Sequence, residues 1–278
     1  MTRPFVKWAG GKYRIAEHLN SYRPKEFNTY FEPMVGSGGS FFKNPPKNAY
    51  LSDINSKLID TYKAIKDNVV FEQLLNLLWD MERIPHTKEG YRKIRDSFNK
   101  DNLHILETAS YFIYINKMCF NGLYRENSKG HFNVPMGDKR TFTIDDKNLR
   151  SVNEILQNVE IACHSYEDIK PKKGDFVYFD PPYIPLDKVS FTQYSKSDFG
   201  EKDHRKLAEF CSKLDKKGVK YMISNSNTDM TKDIYVHSKH IESHEIQVMR
   251  TISGSKNNRG MAGELIITNY NEYDGRLF

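Results

Sequence analysis

An aspartate, two prolines and a tyrosine stand in a row at Asp180-Pro181-Pro182-Tyr183, directly after the apolar run Phe176-Val177-Tyr178-Phe179. That run has the length and composition of a strand buried on both faces. Proline donates no backbone hydrogen bond, and it biases the residue before it toward extended conformations. The turn therefore offers acceptors, the Asp180 carboxylate and a backbone carbonyl, beside the aromatic face of Tyr183. Acceptors next to a ring suit a planar heterocycle with an exocyclic amine: the amine hydrogens go to the acceptors and the ring stacks on the tyrosine. A proline turn that merely ends a strand uses the same residues, so the other motifs must decide.

A ligand for such a turn needs elements that hold its second half. Thr29 to Glu32 reads as a strand, followed by the glycine turn Pro33-Met34-Val35-Gly36-Ser37-Gly38-Gly39 and a helix opening at Ser40-Phe41-Phe42. Doubly wound folds receive nucleotide-like ligands at such a strand-turn-helix junction. A second strand, Ala49 to Ser52, ends in Asp53, 17 residues after Gly36, where an acid can accept from ribose hydroxyls. The glycine spacing departs from G-x-G-x-x-G, which disfavours a dinucleotide. Upstream, Lys7-Trp8-Ala9-Gly10-Gly11-Lys12 lets backbone approach a ligand closely. It is no P-loop, because Tyr13 stands where Ser or Thr would hold magnesium. A flexible turn before a helix around Ile15 to Leu19 is the plainer reading of that stretch.

From Ser56 to about Asn158 the alternation of strand and helix stops. Leu58, Ile59, Tyr62 and Ile65 recur at helical spacing, as do Leu74, Leu75 and Leu78, then Tyr91, Ile94 and Phe98, then Ile105, Ala109, Phe112 and Ile113. These stripes predict core-facing helices inserted within an α/β domain. Inside the insertion, Phe120-Asn121-Gly122-Leu123-Tyr124-Arg125 and His131-Phe132-Asn133-Val134-Pro135 flank a polar turn ending in Gly130, which predicts a β-hairpin. Such a ribbon fits the DNA major groove, arginine's fork matches guanine, and apolar tips can wedge between bases. An ordinary solvated hairpin has the same pattern.

Val159 to Cys163 then reads as a strand closed by His164-Ser165-Tyr166, with Tyr166 able to face an adenine. The long polar loop from Ile184 to Gly200, with Phe191 and Tyr194, is expected to act as a lid. Asp203 is expected to cap a helix with Leu207, Phe210 and Leu214 inward, Tyr221 to Ile223 to form a strand ending at Ser224-Asn225, and Leu265 to Thr268 a late strand after the polar loop from Ser253 to Gly263.

Composition narrows the class. With 278 residues, 28% of them charged, and a mean hydropathy of −0.70, the chain suits a soluble protein of one large or two modest domains. No apolar run approaches the roughly 20 residues that span a bilayer. Cys119, Cys163 and Cys211 form neither a disulfide framework nor a C-x-x-C pair, and the nine histidines lack ligand spacing, so no metal is expected. Net charge +6 permits an anionic partner.

K-W-A-G-G-K at 7–12, F-N-G-L-Y-R at 120–125, F-N-V-P at 132–135 and F-V-Y-F-D-P-P-Y at 176–183 together resemble the Dam/DpnM family of adenine-N6 DNA methyltransferases, amino-methyltransferases of the alpha class and D12 family. The resemblance runs from about Phe5 to Tyr270. It implies an α/β, Rossmann-like methyltransferase core at 1–55 and 159–278. A helical target-recognition domain would occupy 56–158, with its hairpin at 120–136. It implies methyl transfer from S-adenosyl-L-methionine to N6 of a flipped adenine in duplex GATC. The catalytic set would be Asp180, Pro181, Pro182 and Tyr183. Trp8, Gly10, Gly11, Lys12, Phe31, Pro33, Gly36, Ser37, Gly38, Asp53, Ser165, Tyr166 and Asp180 would form the cofactor site. Lys7 would read the outer guanine and Arg125 the guanine paired with the last cytosine. Leu123 and Pro135 would pack near the thymine, Phe120 would fill the stack beside the flipped base, and Asn121 and Asn133 complete the DNA-binding set. Double-stranded DNA is the expected partner, with a functionally linked restriction endonuclease as a possibility. The resemblance fits a cytoplasmic, nucleoid-associated protein, monomeric or weakly dimeric, with no metal and no membrane.

Rival chemistries are weighed on residues. Cytosine-C5 transfer would need a nucleophilic cysteine after proline, whereas Met118, Ala162 and Phe210 precede the three cysteines. Cytosine-N4 transfer could use the same turn. A non-catalytic, cofactor-dependent DNA-binding regulator is the third reading, and the intact Asp180 to Tyr183 turn argues against it.

Overall fold

The computed structural model describes residues 1–185, 199–236, 238–249 and 261–271. In chain order the first elements are α1 (Ala16–Ser21), β1 (Tyr30–Glu32), α2 (Gly39–Lys43) and β2 (Ala49–Asp53). A helical run follows: α3 (Ser56–Lys66), α4 (Asn68–Arg83), α5 (Lys88–Phe98), α6 (Ile105–Met118) and α7 (Asp146–Leu156). Then come β3 (Val159–Cys163), β4 (Phe176–Phe179), α8 (Glu201–Lys216), β5 (Lys220–Ser226), α9 (Asp229–Tyr235), β6 (Glu242–Met249) and β7 (Met261–Thr268). Of the expected lid, residues 186–198, including Phe191 and Tyr194, lie outside the described residues, as do residues 253–260 of the loop before β7. Among the described residues no helix is long and apolar enough to cross a membrane.

The elements form two compact units, one made of Met1–Ala16 and Val35–Ser165, the other of Glu17–Met34 and Tyr166–Phe278. The first unit holds the whole helical run together with β2 and β3. Those two strands pair in parallel, with Ala49 opposite Val159 and Asp53 opposite Cys163. The apolar stripes face inward as their spacing dictates: Leu58, Ile59, Tyr62, Ile65, Leu74, Leu75, Leu78, Tyr91, Phe98, Phe112 and Ile113 are all buried. All five helix starts of the run are closed locally, those of α6 and α7 by His104 and Asp145. Asn55 accepts from Leu58 N, Asp67 from Val69 N and Val70 N, and Thr87 from Gly90 N, each cap contributing about 1 kcal/mol.

In the second unit β4 pairs in parallel with β1 on one side and β5 on the other, β7 runs antiparallel to β5, and β6 antiparallel to β7. Phe176, Val177, Tyr178 and Phe179 of β4 have no exposed surface, as expected of a strand covered on both faces. The structure corrects two expectations. β5 does not stop at Ser224-Asn225 but continues through Ser226, because β7 pairs with it as far as Ser226, beyond the last β4 partner at Ile223. Asp203 is not the cap of α8: Gly200 occupies that position, and Asp203 reaches back from the first turn to accept from Gly200 N at 2.9 Å. β6 and α9 went unread, since Glu242-Ser243-His244-Glu245 is a polar edge-strand sequence with little apolar signal.

Candidate active site

The glycine turn of the first unit is tied to the end of β2. Gly36 N donates to Asp53 Oδ2 and Asn55 N to Asp53 Oδ1, both at 3.0 Å, while Tyr62 OH donates to the Gly36 carbonyl at 3.0 Å. Gly36 and Gly38 have φ of 47° and 67°, a left-handed backbone that favours glycine. Space matters as well as φ: a Cβ at Gly36 would come within 2.6 Å of Trp8 Cδ1, so the indole lies directly on the turn. Burial pushes the Asp53 carboxyl above its ordinary range, opposed by the N–H groups of Asn55, Gly36 and Ile54. Each carboxylate oxygen still carries lone pairs for further donors. Beside it Ile54 is 77% exposed, an apolar side chain open at the mouth of the turn that sequence reading passed over. In the 7–12 motif Gly11 N closes a turn on Trp8 O at 3.1 Å, Gly10 has φ of 76°, and the buried Lys12 ammonium donates to the Gly10 carbonyl at 2.6 Å. Ser165 follows β3, where its carbonyl meets His164 Nδ1 at 2.9 Å.

In the second unit the turn after β4 is held from the strand end of β5. Ser224 Oγ donates to Asp180 Oδ1 at 2.8 Å, and Tyr178 OH lies 2.9 Å from Ser224 Oγ. Since the serine hydrogen goes to the carboxylate, the tyrosine is the donor in the second contact. Ile184 N donates to Asn225 Oδ1 at 3.0 Å, Ser226 Oγ donates to the Ile184 carbonyl, and Tyr183 OH donates to Glu264 Oε2 at 2.9 Å. Ser224, Asn225 and Ser226 have no exposed surface. Burying such groups is costly unless they are bonded, and the two serine hydroxyls and the Asn225 carbonyl oxygen are bonded in ways that fix the turn, while Asn225 Nδ2 has no partner among the described residues. The Tyr178 and Tyr183 phenols are held well above their ordinary range, first by burial and then by the Asp180 carboxylate, so both remain donors. Behind the turn the fully buried His204 meets Tyr235 OH at 2.6 Å through Nδ1. Burial lowers its pKa to about 4, against a smaller pull upward from the Pro182 carbonyl and Asp203, which leaves a neutral imidazole.

Phe31 lies in β1 opposite Val177, buried like Pro33. Tyr166 packs edge-on against Phe179 and Phe210, at centroid distances of 6.3 and 5.5 Å, and keeps only 8% of its surface open. Sequence reading found Asp180 to Tyr183 but not Ser224, Asn225, Ser226 or Glu264. The one available signal was a run of polar residues directly after an apolar strand.

The expected hairpin is thinner than its sequence suggests. Phe120–Gly122 is a 3-10 turn rather than a strand, because Asn121 and Gly122 take positive φ of 56° and 66°. Pairing shrinks to isolated antiparallel bridges between Cys119 and Met136 and between Glu126 and Phe132. Asn133 N donates to Arg125 O at 3.1 Å, and Arg125 Nε donates to Asn133 Oδ1 at 2.8 Å, which aims an exposed guanidinium. The base is firm: Asn99 exchanges two bonds with Phe132, at 2.8 and 2.9 Å, and Tyr91 OH donates to Val134 O at 2.8 Å. Asn116 ties Lys7, one guanine-reading candidate, to the loop that carries Arg125, the other. Its side chain accepts from Lys7 N and donates to Lys7 O, each at 2.8 Å, and donates to Gly122 O at 3.4 Å. The Lys7 stem lies across Gly122, where a Cβ would come within 2.4 Å of Lys7 Cδ. Phe120 is 49% exposed, Leu123 half-buried and Pro135 exposed.

The model of the D12 class of N6 adenine-specific DNA methyltransferases matches residues 8–252. The chain belongs to that family. It is 40% identical over 277 residues to the type II methyltransferase M1.LlaDCHI of Lactococcus lactis subsp. cremoris, covering 96% of this chain and 95% of that one. It is 41% identical over 288 residues to the type II methyltransferase M.MjaIII of Methanocaldococcus jannaschii, covering 96% and 99%. The DNA adenine methylase of Escherichia coli K12 is 34% identical over 270 residues, covering 95% of this chain and 94% of the relative. Membership makes the chain an S-adenosylmethionine-dependent enzyme with an α/β, Rossmann-like core. The residues present fit such a cofactor: Asp53 retains acceptors for hydroxyl donors, and Ile54 offers an open apolar contact for a flat ring.

Proposed function

We propose that the enzyme methylates N6 of adenine within GATC in duplex DNA, acting on a base flipped out of the helix, and that residues 56–158 serve as its target-recognition domain. The observation that carries this reading is the Asp180 carboxylate, oriented by Ser224 at the end of a buried strand and followed by two prolines. Adenine N6 is a poor nucleophile because its lone pair is delocalised into the ring. Hydrogen bonds from the amine to the Asp180 carboxylate and the Pro181 carbonyl favour a pyramidal nitrogen whose lone pair points out of the ring plane. S-adenosylmethionine supplies an electrophilic methyl group on a sulfonium sulfur. Asp53 accepts from its ribose, Ile54 and Trp8 pack on it, and the Gly36-Ser37-Gly38 turn supports its methionine end, with Gly10, Gly11, Lys12, Phe31, Pro33, Ser165 and Tyr166 completing the site. An adenine inside a duplex keeps N6 paired and stacked, so the base must leave the stack and lie on Tyr183.

On the DNA side, Lys7 and Arg125 read guanines, Phe120 fills the vacated stack, Leu123 and Pro135 pack near the thymine, and Asn121 and Asn133 set the loop. The exposed, aimed guanidinium of Arg125 supports its part. The two type II relatives favour a functionally linked restriction endonuclease, and the protein acts on cytoplasmic DNA. The test is methyl transfer from labelled S-adenosylmethionine to two duplexes that differ only in one GATC site, followed by nucleoside identification. N6-methyladenine confined to the GATC duplex is the expected result. Equal transfer to both duplexes would remove the recognition roles, and N4-methylcytosine would reassign the target.

A further inference from the structure

The Trp8 indole covers the glycine turn, and the same indole stacks on Tyr124, the residue directly before Arg125. The Trp8 and Tyr124 rings lie 5.2 Å apart at 26°, Tyr124 and Phe112 lie 5.4 Å apart at 20°, and Trp8 and Phe112 lie 6.4 Å apart at 16°. Three nearly parallel rings are thus mutually in reach, and Phe112, wholly buried on α6, is the fixed member. Tyr124 is held beyond its ring as well: its OH donates to Glu126 Oε1 at 2.5 Å, on the far side of Arg125. Burial and the Glu126 carboxylate raise the phenol well above its ordinary range, so it stays a donor at neutral pH.

We infer that Tyr124 is a positioning residue that couples the cofactor turn to DNA readout, through the ring stack from Gly36 and Trp8 to Tyr124 and Arg125. The inference rests on the proposed roles of the turn and of Arg125. With no Cβ-sized gap between Gly36 and Trp8, a ligand that settles the turn also settles the indole. A settled indole narrows the positions open to Tyr124, and Tyr124 sets the backbone from which Arg125 projects. Cofactor and DNA then each bind more tightly when the other is present, by the same factor.

The experiment measures duplex affinity of the full chain by fluorescence anisotropy, using a GATC oligonucleotide with and without saturating S-adenosylhomocysteine. Wild type, Tyr124→Phe and Tyr124→Leu are compared; leucine keeps the apolar bulk and removes the ring. The wild type is expected to bind the duplex about tenfold more tightly with the cofactor product present. Tyr124→Phe should keep that ratio. Tyr124→Leu should bring it to about one, while its affinity for S-adenosylhomocysteine without DNA stays within about threefold of wild type. A wild-type ratio of one, a Tyr124→Leu ratio equal to wild type, or equal loss in Tyr124→Phe and Tyr124→Leu would each overturn the coupling. Should the wild type bind S-adenosylhomocysteine but discriminate no GATC site, or should Arg125→Ala leave duplex binding unchanged, the proposed readout itself would fall and the coupling with it.

Discussion

At the carboxyl end of β5, three consecutive buried polar residues all bond to the turn at 180–184, whereas the loop at 120–135 is tied down at its base and open at its tip. The first arrangement has few alternatives, because moving the turn would take partners from two buried hydroxyls and a buried amide oxygen. The second has a firm footing on Asn99, Asn116 and Tyr91, and above and beside that footing the side chains of Phe120, Arg125 and Pro135 stay exposed. On the proposed function, one region fixes the group that holds the target amine, and the other presents side chains to DNA. A methyltransferase needs both, since the chemistry is common to its family while the DNA sequence read is a matter of surface side chains.

Removing Asp180 should break the first region outright. Asp180→Ala is expected to lower kcat at least about a thousand-fold in a chain that still folds cooperatively, with a thermal midpoint lowered by the loss of the Ser224 acceptor. Single-turnover methyl transfer and a melting curve check both halves. His204 tests the rigidity behind the turn. Its folded pKa of about 4 lies below the ordinary 6.5, so the unfolded chain binds the proton more readily. The stability it contributes is full above about pH 6.5, declines as pH falls, and is gone below about 4, a change of about 3 kcal/mol over that window. Urea unfolding from pH 7 to 4 should show this slope, and His204→Asn should flatten it. Ser224→Ala leaves Asp180 in place without its orienting donor and is expected to lower kcat about 10- to 100-fold with little change in KM; Ser224→Thr should recover most of the loss. At the loop, Asn133→Ala frees the Arg125 guanidinium and should reduce discrimination a few-fold, to about 1 kcal/mol at most, measured as the ratio of kcat/KM on cognate and single-mismatch duplexes.

The two regions also differ in how far they could be read from residues alone. The strand Phe176 to Phe179, the turn after it, and the placing of a glycine turn and of Asp53 at strand ends were legible because each rests on local chemistry: apolar runs, prolines, glycines and an acid at a strand end. Ser224 to Ser226 was not, because polar residues in a row look like the end of a strand unless the burial and the partners are known. The hairpin was overread for a related reason. β-Prone residues at 120–125 predicted a ladder, but Asn121 and Gly122 turn the chain with positive φ and Asn116 captures the Gly122 carbonyl from the preceding helix α6. The stacking of Trp8 on Tyr124 joins residues 116 positions apart, beyond any local pattern.

The most direct test of the division between the two regions is one kinetic comparison, of Ser224→Ala with Arg125→Ala, on a GATC duplex and on a duplex with that base pair changed. Ser224→Ala should slow both duplexes by the same factor and leave their ratio untouched. Arg125→Ala should bring the two rates together by about 1–3 kcal/mol while kcat on the cognate site stays near wild type at saturation. If instead Ser224→Ala altered the ratio, or Arg125→Ala slowed both duplexes equally, chemistry and readout would not be separately housed in this enzyme.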